Sequence, residues 1–192
     1  MNEELLQEIK STLPWLIVAA LAVGGFYGVK NYRATRKAAA TTAYARSTSA
    51  ADLEGAVAEF GKADTAGALK VKLAKKYYDD GRFQEALDLY VQLKAQTPAG
   101  FEGIPAVGEA ESLEALGRYD EAIAAYDAFV ADNAAHPLAF TAKLGAARAT
   151  ALKGDKAKAN ELLKALKDGL GEDEAAKDRV EQLEDLVKRL AK

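Results

Sequence analysis

The chain has 192 residues, a formal net charge of −3, one histidine and no cysteine, and 49% of its residues are apolar, many of them alanine. Absent cysteine excludes structural disulfides and Cys-ligated metal sites. Net negative charge without a continuous basic stripe disfavours a nucleic-acid partner.

Residues 1–12 form a leader in which Leu5, Leu6 and Ile9 share one helical face and Glu3, Glu4 and Glu8 outnumber Lys10. Residues 13–29 follow as a run of 17 without a charge, and the reading is a single transmembrane helix at the short end of what spans a bilayer. Ser11 or Thr12 could cap its start, with Pro14 in the first turn. Trp15 at one end and Tyr27 and Tyr32 at the other suit the interfacial positions. The alternative is a cleaved signal peptide with Ala20-Leu21-Ala22 as its small-residue site, against which the acidic leader speaks. Gly24 and Gly28 have the spacing of a membrane-helix packing seam, or are ordinary small residues in lipid.

Residues 30–65 read as a helical stalk and a lead-in helix. Lys30, Arg33, Arg36, Lys37 and the alanine-rich run to Arg46 contain no helix breaker. Leu53, Ala56, Val57 and Phe60 then recur at i, i+3, i+4 and i+7. Asp64 or Thr65 offers a cap for the next helix.

Beyond residue 65 the chain repeats itself. Gly81-Arg82-Phe83-Gln84-Glu85-Ala86-Leu87 returns 36 positions later as Gly117-Arg118-Tyr119-Asp120-Glu121-Ala122-Ile123. A worn copy starts at Gly154. Alanine stands seven residues before each glycine (Ala74, Ala110, Ala147), and Tyr90, Tyr126 and Leu163 stand nine after. Such a period means stacked helical hairpins, each closed by a glycine in the left-handed conformation. Hairpins are expected at 66–80/83–96, 104–116/119–132 and 138–153/156–168. A last helix near 172–191 carries Ala176, Val180, Leu183, Val187 and Leu190 on one stripe, as a terminal cap should.

The motif Gly-x-Phe/Tyr-x-Glu-Ala, its preceding alanine and the Tyr at +9 resemble the tetratricopeptide repeat over residues 66–169, with Pro98 where that family closes a repeat. The third copy lacks the aromatic and the glutamate, and the family's early tryptophan is replaced by Lys70, Ala106 and Lys143. The resemblance implies an all-α, right-handed α-solenoid of about three hairpins, with residues 170–192 as a capping helix. The layout also resembles a narrower group, the membrane-anchored ancillary translocon subunits of the YfgM type, through Ala66-Gly67-Ala68-Leu69 and the order leader, membrane helix, repeats. That likeness implies a single-pass inner-membrane protein with periplasmic repeats, working beside the secretion channel and periplasmic chaperones. The positive charges distal to the helix argue instead for repeats in the cytoplasm.

Little here suggests catalysis or a small-molecule substrate, and no cofactor is implied. His136 is a solvated loop residue in this reading, and no phosphate-binding loop or nucleophile elbow is present. By the family's phase the first helix of each hairpin lines a concave groove. It would receive Val71, Lys75 and Tyr78, then Ile104, Val107, Glu111 and Glu114, then Leu144, Arg148 and Leu152. Valine or leucine at the position of the family's carboxylate clamp speaks against that ligand, and an apolar stripe edged with charge suits an amphipathic segment. Residues 101–136 hold eight acidic residues and one arginine, whereas 139–168 hold seven basic and three acidic, which reads first as attraction between neighbours and second as a steering field. The expected function is a non-catalytic scaffold for protein partners: translocon, chaperone or envelope-assembly components. The alternatives are a structural subunit that self-associates through anchor and solenoid, and a cytoplasm-facing adaptor.

Overall fold

A computed structural model describes residues 3–61, 66–97, 100–171 and 173–190, with the backbone alone for 3–12, 14 and 16. Asp64, Thr65 and Pro98, and the side chains of Leu5, Leu6 and Ile9, lie outside the described residues. The described residues form helices α1 (Glu3–Arg46), α2 (Ala50–Phe60), α3 (Ala66–Asp79), α4 (Phe83–Lys94), α5 (Ile104–Ala115), α6 (Tyr119–Asp132), α7 (Ala139–Lys153), α8 (Lys156–Asp168) and α9 (Glu174–Arg189).

The repeated glycine does at all three turns what its type allows. Gly81, Gly117 and Gly154 have φ of 76°, 74° and 105°. At each, the next two donors reach back onto the helix just ended. The Gly81 N–H donates to Tyr78 O at 3.0 Å and the Arg82 N–H to Tyr77 O at 2.8 Å; Gly117 and Arg118 do the same to Glu114 and Leu113. This double bond pattern satisfies carbonyls that a helix end leaves orphaned, and only a residue free of Cβ strain adopts it cheaply.

Hairpins stack in chain order, and an additional hairpin precedes the three expected from the period. The last turns of α1 pair with α2 and both pack on α3. Ala40, Leu53, Phe60, Leu69 and Leu73 form their common core. Leu53, Val57 and Phe60 fall 33 residues before Ala86, Tyr90 and Leu93, so α2 uses the same buried face as α4. Ser49 caps α2, accepting the Asp52 N–H at 3.1 Å while the Asp52 carboxylate accepts the Ser49 N–H at 3.3 Å. The residues read as a stalk and lead-in are therefore partly a repeat unit. At the other end α9 buries Ala176, Val180, Leu183 and Val187 against α7 and α8, while Leu190 stays exposed.

The transmembrane reading is overturned. Among the described residues no helix is long and apolar enough to cross a membrane. The uncharged run covers about 25 Å at ~1.5 Å per residue, short of a hydrocarbon core of about 30 Å. Gly24, Gly25, Gly28 and Tyr27 dilute it further. With the span go the inner-membrane location and the question of which side the repeats face. Residues 11, 12 and 14 lie inside α1 rather than at its start. From 13 to 35 every described side chain is exposed, among them Trp15, Leu21, Phe26 and Tyr32. Gly24 and Gly28 sit on this stretch, with nothing within 4 Å of where a Cβ would be.

Candidate functional site: the concave face

Which face is concave follows from contact alone. Successive odd helices touch one another from α1 to α9, whereas no even helix touches another even helix. The stack therefore curves with the odd helices inside. Open grooves lie between the splayed even helices, of about 500 Å³ between α4 and α6 and about 250 Å³ between α6 and α8.

The ten residues expected along the groove divide into two sets. Val71, Val107 and Leu144 are 5–6% exposed and belong to the seams between helices. Ile104 packs against the core under Tyr90, and Leu152 is half-buried. Glu114 is also buried, at 9%. Lys75, Tyr78, Glu111 and Arg148 keep surface on the inner side. The exposed part of the face is thus charged and aromatic rather than an apolar stripe. Close approach of consecutive odd helices draws the branched apolar side chains into the seams.

Glu114 is the hub of that surface. Arg148, one hairpin on, donates to it through Nε at 2.5 Å and Nη2 at 2.9 Å, and the Tyr126 hydroxyl donates at 3.2 Å. A bidentate guanidinium and a phenol satisfy a carboxylate whose desolvation would otherwise be costly. The same carboxylate raises the Arg148 guanidinium above its ordinary range. Burial, then the Glu114 charge, pushes the Tyr126 phenol up. One turn earlier, Glu111 is partly buried, and burial holds its carboxyl above the usual range against the pull of Arg148. Tyr78 stands nearby, raised by burial and by the charges of Glu111 and Glu114, with its ring edge-on to Phe83 at 5.3 Å. Lys75 is paired with Asp79 at 2.5 Å.

Two packing residues carried no functional label in the sequence reading. A Cβ on Gly108 would stand 2.5 Å from the Tyr90 ring, and one on Gly145 would meet the Tyr126 ring. These glycines lie nine residues before Gly117 and Gly154, so each is the socket for the tyrosine of the preceding hairpin. Their recurrence at 37 residues was the available signal. His136, expected to be solvated, is half-buried edge-on to Phe129 at 5.5 Å, and its Nδ1 accepts the Leu138 N–H at 3.1 Å. Among the described residues, no three His, Cys, Asp or Glu side chains are grouped to hold a metal ion.

A search of solved structures places the chain beside a protein of Podosopora anserina described as a kinesin light chain with nearly identical TPR-like repeats. The TM-score is 0.57 at 22% identity, covering 74% of this chain and 77% of that one. The fold is a tetratricopeptide-like solenoid. That likeness extends to the fold alone. No protein-family model matches the chain, and no curated protein matches it. The narrower resemblance to YfgM-type translocon subunits thus finds no support, and its membrane helix is already overturned. In tetratricopeptide terms α3, α5 and α7 are first helices, α4, α6 and α8 second helices, and the Glu114–Arg148 pair bridges two consecutive first helices.

Proposed function

We propose that this protein is a non-catalytic scaffold that holds a partner polypeptide along the concave face of its tetratricopeptide-like solenoid. The observation that carries the reading is the built surface across α3, α5 and α7. Tyr78, Glu111 and Arg148 share one electrostatic neighbourhood there while keeping solvent-exposed area. A track of half-buried polar groups on a rigid, regularly spaced frame gives an extended segment both register and side-chain discrimination. The translocon as the particular partner rested on the anchored-family resemblance and is not part of the proposal. The test is site-specific photo-crosslinking in native extract, with the probe at exposed Lys75 on the inner face or exposed Gln92 on the outer face. Adducts should form at position 75. Adducts confined to position 92 would remove the concave face as the docking surface.

A second reading, a self-associating structural subunit, is favoured by one observation. Leu13, Trp15, Ile17, Leu21, Phe26 and Tyr32 on α1 are all at least half exposed, an apolar surface that normally calls for a cover. Sedimentation of the full chain against a chain beginning at residue 34 separates the two. Loss of a defined oligomer on shortening supports self-assembly, and a monomer in both cases eliminates it.

A further inference from the structure

Helix α1 runs on beyond the stack it belongs to. Its C-terminal part packs on α2 and α3: Ala40 is buried, and Arg36 Nη2 donates to Glu59 O at 2.7 Å. From 13 to 35 every described side chain is exposed, Trp15 at 75% and Phe26 at 66%. The sequence of this free part is complementary to its own reverse. Two glutamates stand four residues apart at 4 and 8, and Arg33 and Lys37 stand four apart at the other end. The two pairs are equally distant from the point between Ala20 and Leu21, near the middle of the uncharged run. At about 3.6 residues per turn, position 8, Trp15, Ala22, Phe26 and Arg33 lie on one side of the helix, and positions 4 and 37 extend it. That side therefore reads acidic, aromatic, small, aromatic, basic. Arg33 and Lys37 are exposed, whereas Arg36 between them is turned to α2, over the Phe60 ring at 5.2 Å.

We propose that this side of α1 seats a second copy of the chain, whose own α1 lies antiparallel along it; the inference rests on the self-association reading above. A two-fold axis between Ala20 and Leu21 sets position 8 of one helix beside Arg33 of the other, and position 4 beside Lys37. It also sets Trp15 beside Phe26 and Ala19 beside Ala22. Opposite charges then meet at both ends of the pair, and aromatic rings cover each other inside them. Alanines at the crossing let the two helices approach closely. The pairing removes from water an apolar surface that the stack itself leaves uncovered. Parallel pairing would set glutamates beside glutamates at one end and Arg33 and Lys37 beside their own copies at the other, so like charges oppose it. The orientation also fixes a shape. Each stack begins near residue 36, which falls opposite residue 5 of the other copy. At ~1.5 Å per residue the two stacks stand about 45 Å apart, one at each end of the paired helices.

Sedimentation of the full chain at low salt should show a dimer. Glu4→Lys/Glu8→Lys and Arg33→Glu/Lys37→Glu should each weaken it roughly tenfold or more. An equimolar mixture of the two double variants should restore it, and so should all four changes in one chain. Thermal melting of the stack should stay at the wild-type value throughout, since Arg33 and Lys37 touch none of its core. The chain has no cysteine, so single cysteines report the orientation. With a short bismaleimide, Ala19→Cys should crosslink to its own copy, because position 19 lies beside position 22 of the other helix. Val29→Cys should not, because the two copies of position 29 lie near opposite ends of the pair. A dimer that crosslinks at both positions, or that ignores the charge reversals, overturns the antiparallel pairing and leaves self-association standing. A chain that stays monomeric overturns both. If that monomer then sediments with phosphatidylcholine vesicles containing anionic lipid, the exposed side belongs to a lipid surface instead.

Discussion

A glycine at 108 or 145 leaves room for one tyrosine ring, and the fold depends on that room. Adding a methyl at either place forces the ring of Tyr90 or Tyr126 out of a dense seam. Gly108→Ala and Gly145→Ala should each cost about 1–3 kcal/mol, the range of overpacked cores, even though alanine is the better helix former. Removing the ring should cost more: Tyr126, 1% exposed, should lose about 3–5 kcal/mol on change to alanine. Urea unfolding curves of the three variants give the numbers, and a stabilised Gly145→Ala would show that the ring can yield. Glu111 carries the opposite expectation. Burial raises its folded pKa, so between the ordinary glutamate value of about 4.3 and the folded one the native state holds the extra proton. Stability from this group therefore falls as pH rises through that window, and the ionised form is unfavourable at neutral pH. Glu111→Gln should melt higher than wild type at pH 7 and level with it near pH 3.5. Equal melting at both values would mean that the carboxylate is fully solvated. Glu85 and Glu121 behave the other way: hydrogen bonds from Arg82 and Arg118 hold their carboxyls below the usual range, so their contribution is lost on acidification.

At the scale of the elements, what could be read from the sequence was what is local. A glycine, an aromatic two residues later and an alanine three further on specify a turn and a packing face within a dozen residues, and helices α3 to α6 formed around them, with Gly154 and Ala159 alone marking the turn from α7 to α8. The pairing of α1 with α2 was not legible, because Ser47-Thr48-Ser49 carries neither glycine nor aromatic. Its traces are the small residues Ala40 and Ala43, the Ser49–Asp52 cap and the recurrence of Leu53, Val57 and Phe60 33 residues before Ala86, Tyr90 and Leu93. Which of the expected groove positions keep solvent-exposed surface was not legible. Whether Val107 faces solvent or a seam is decided by the approach of α5 to its neighbours, which no spacing encodes. Val107→Glu, on this structure, would put a charge into the core with Leu87, Tyr126 and Phe129 and unfold the middle of the stack. The cap α9 was legible because a terminal helix must be apolar on one side only. Leu183 is 6% exposed in its seam, and Leu183→Ala should cost about 2–5 kcal/mol. The loss should appear first as faster hydrogen exchange in α7 and α8, which share its core, with α3 and α4 unchanged. Uniform loosening of all helices would mean that the stack opens as one unit.

Across the whole molecule, charge is segregated between neighbouring units. The acidic α5/α6 hairpin lies against the basic α7/α8 hairpin, and the junction is tied by Arg148–Glu114 and Lys153–Asp120. The two ties should differ in weight. Asp120 and Lys153 are largely solvated, so a double-mutant cycle should return a weak coupling that fades with salt. Glu114 is 9% exposed and triply bonded, so the Glu114→Gln/Arg148→Met cycle should return about 1–3 kcal/mol and resist salt. Equal couplings would mean that burial at Glu114 adds nothing.

Contact between odd helices, with none between even ones, also sets how the molecule deforms. The inner track is a bending axis close to incompressible, since its helices already touch. The outer helices are separated by gaps that can widen or close without breaking a packed seam. Such a body is stiff against compression of its inner edge and compliant on its outer edge. Changes in curvature therefore leave the spacing of Tyr78, Glu111 and Arg148 nearly constant while the outer grooves change width. Pulled from its ends, the stack should lengthen first by straightening, as a leaf spring does, well before any hairpin unfolds.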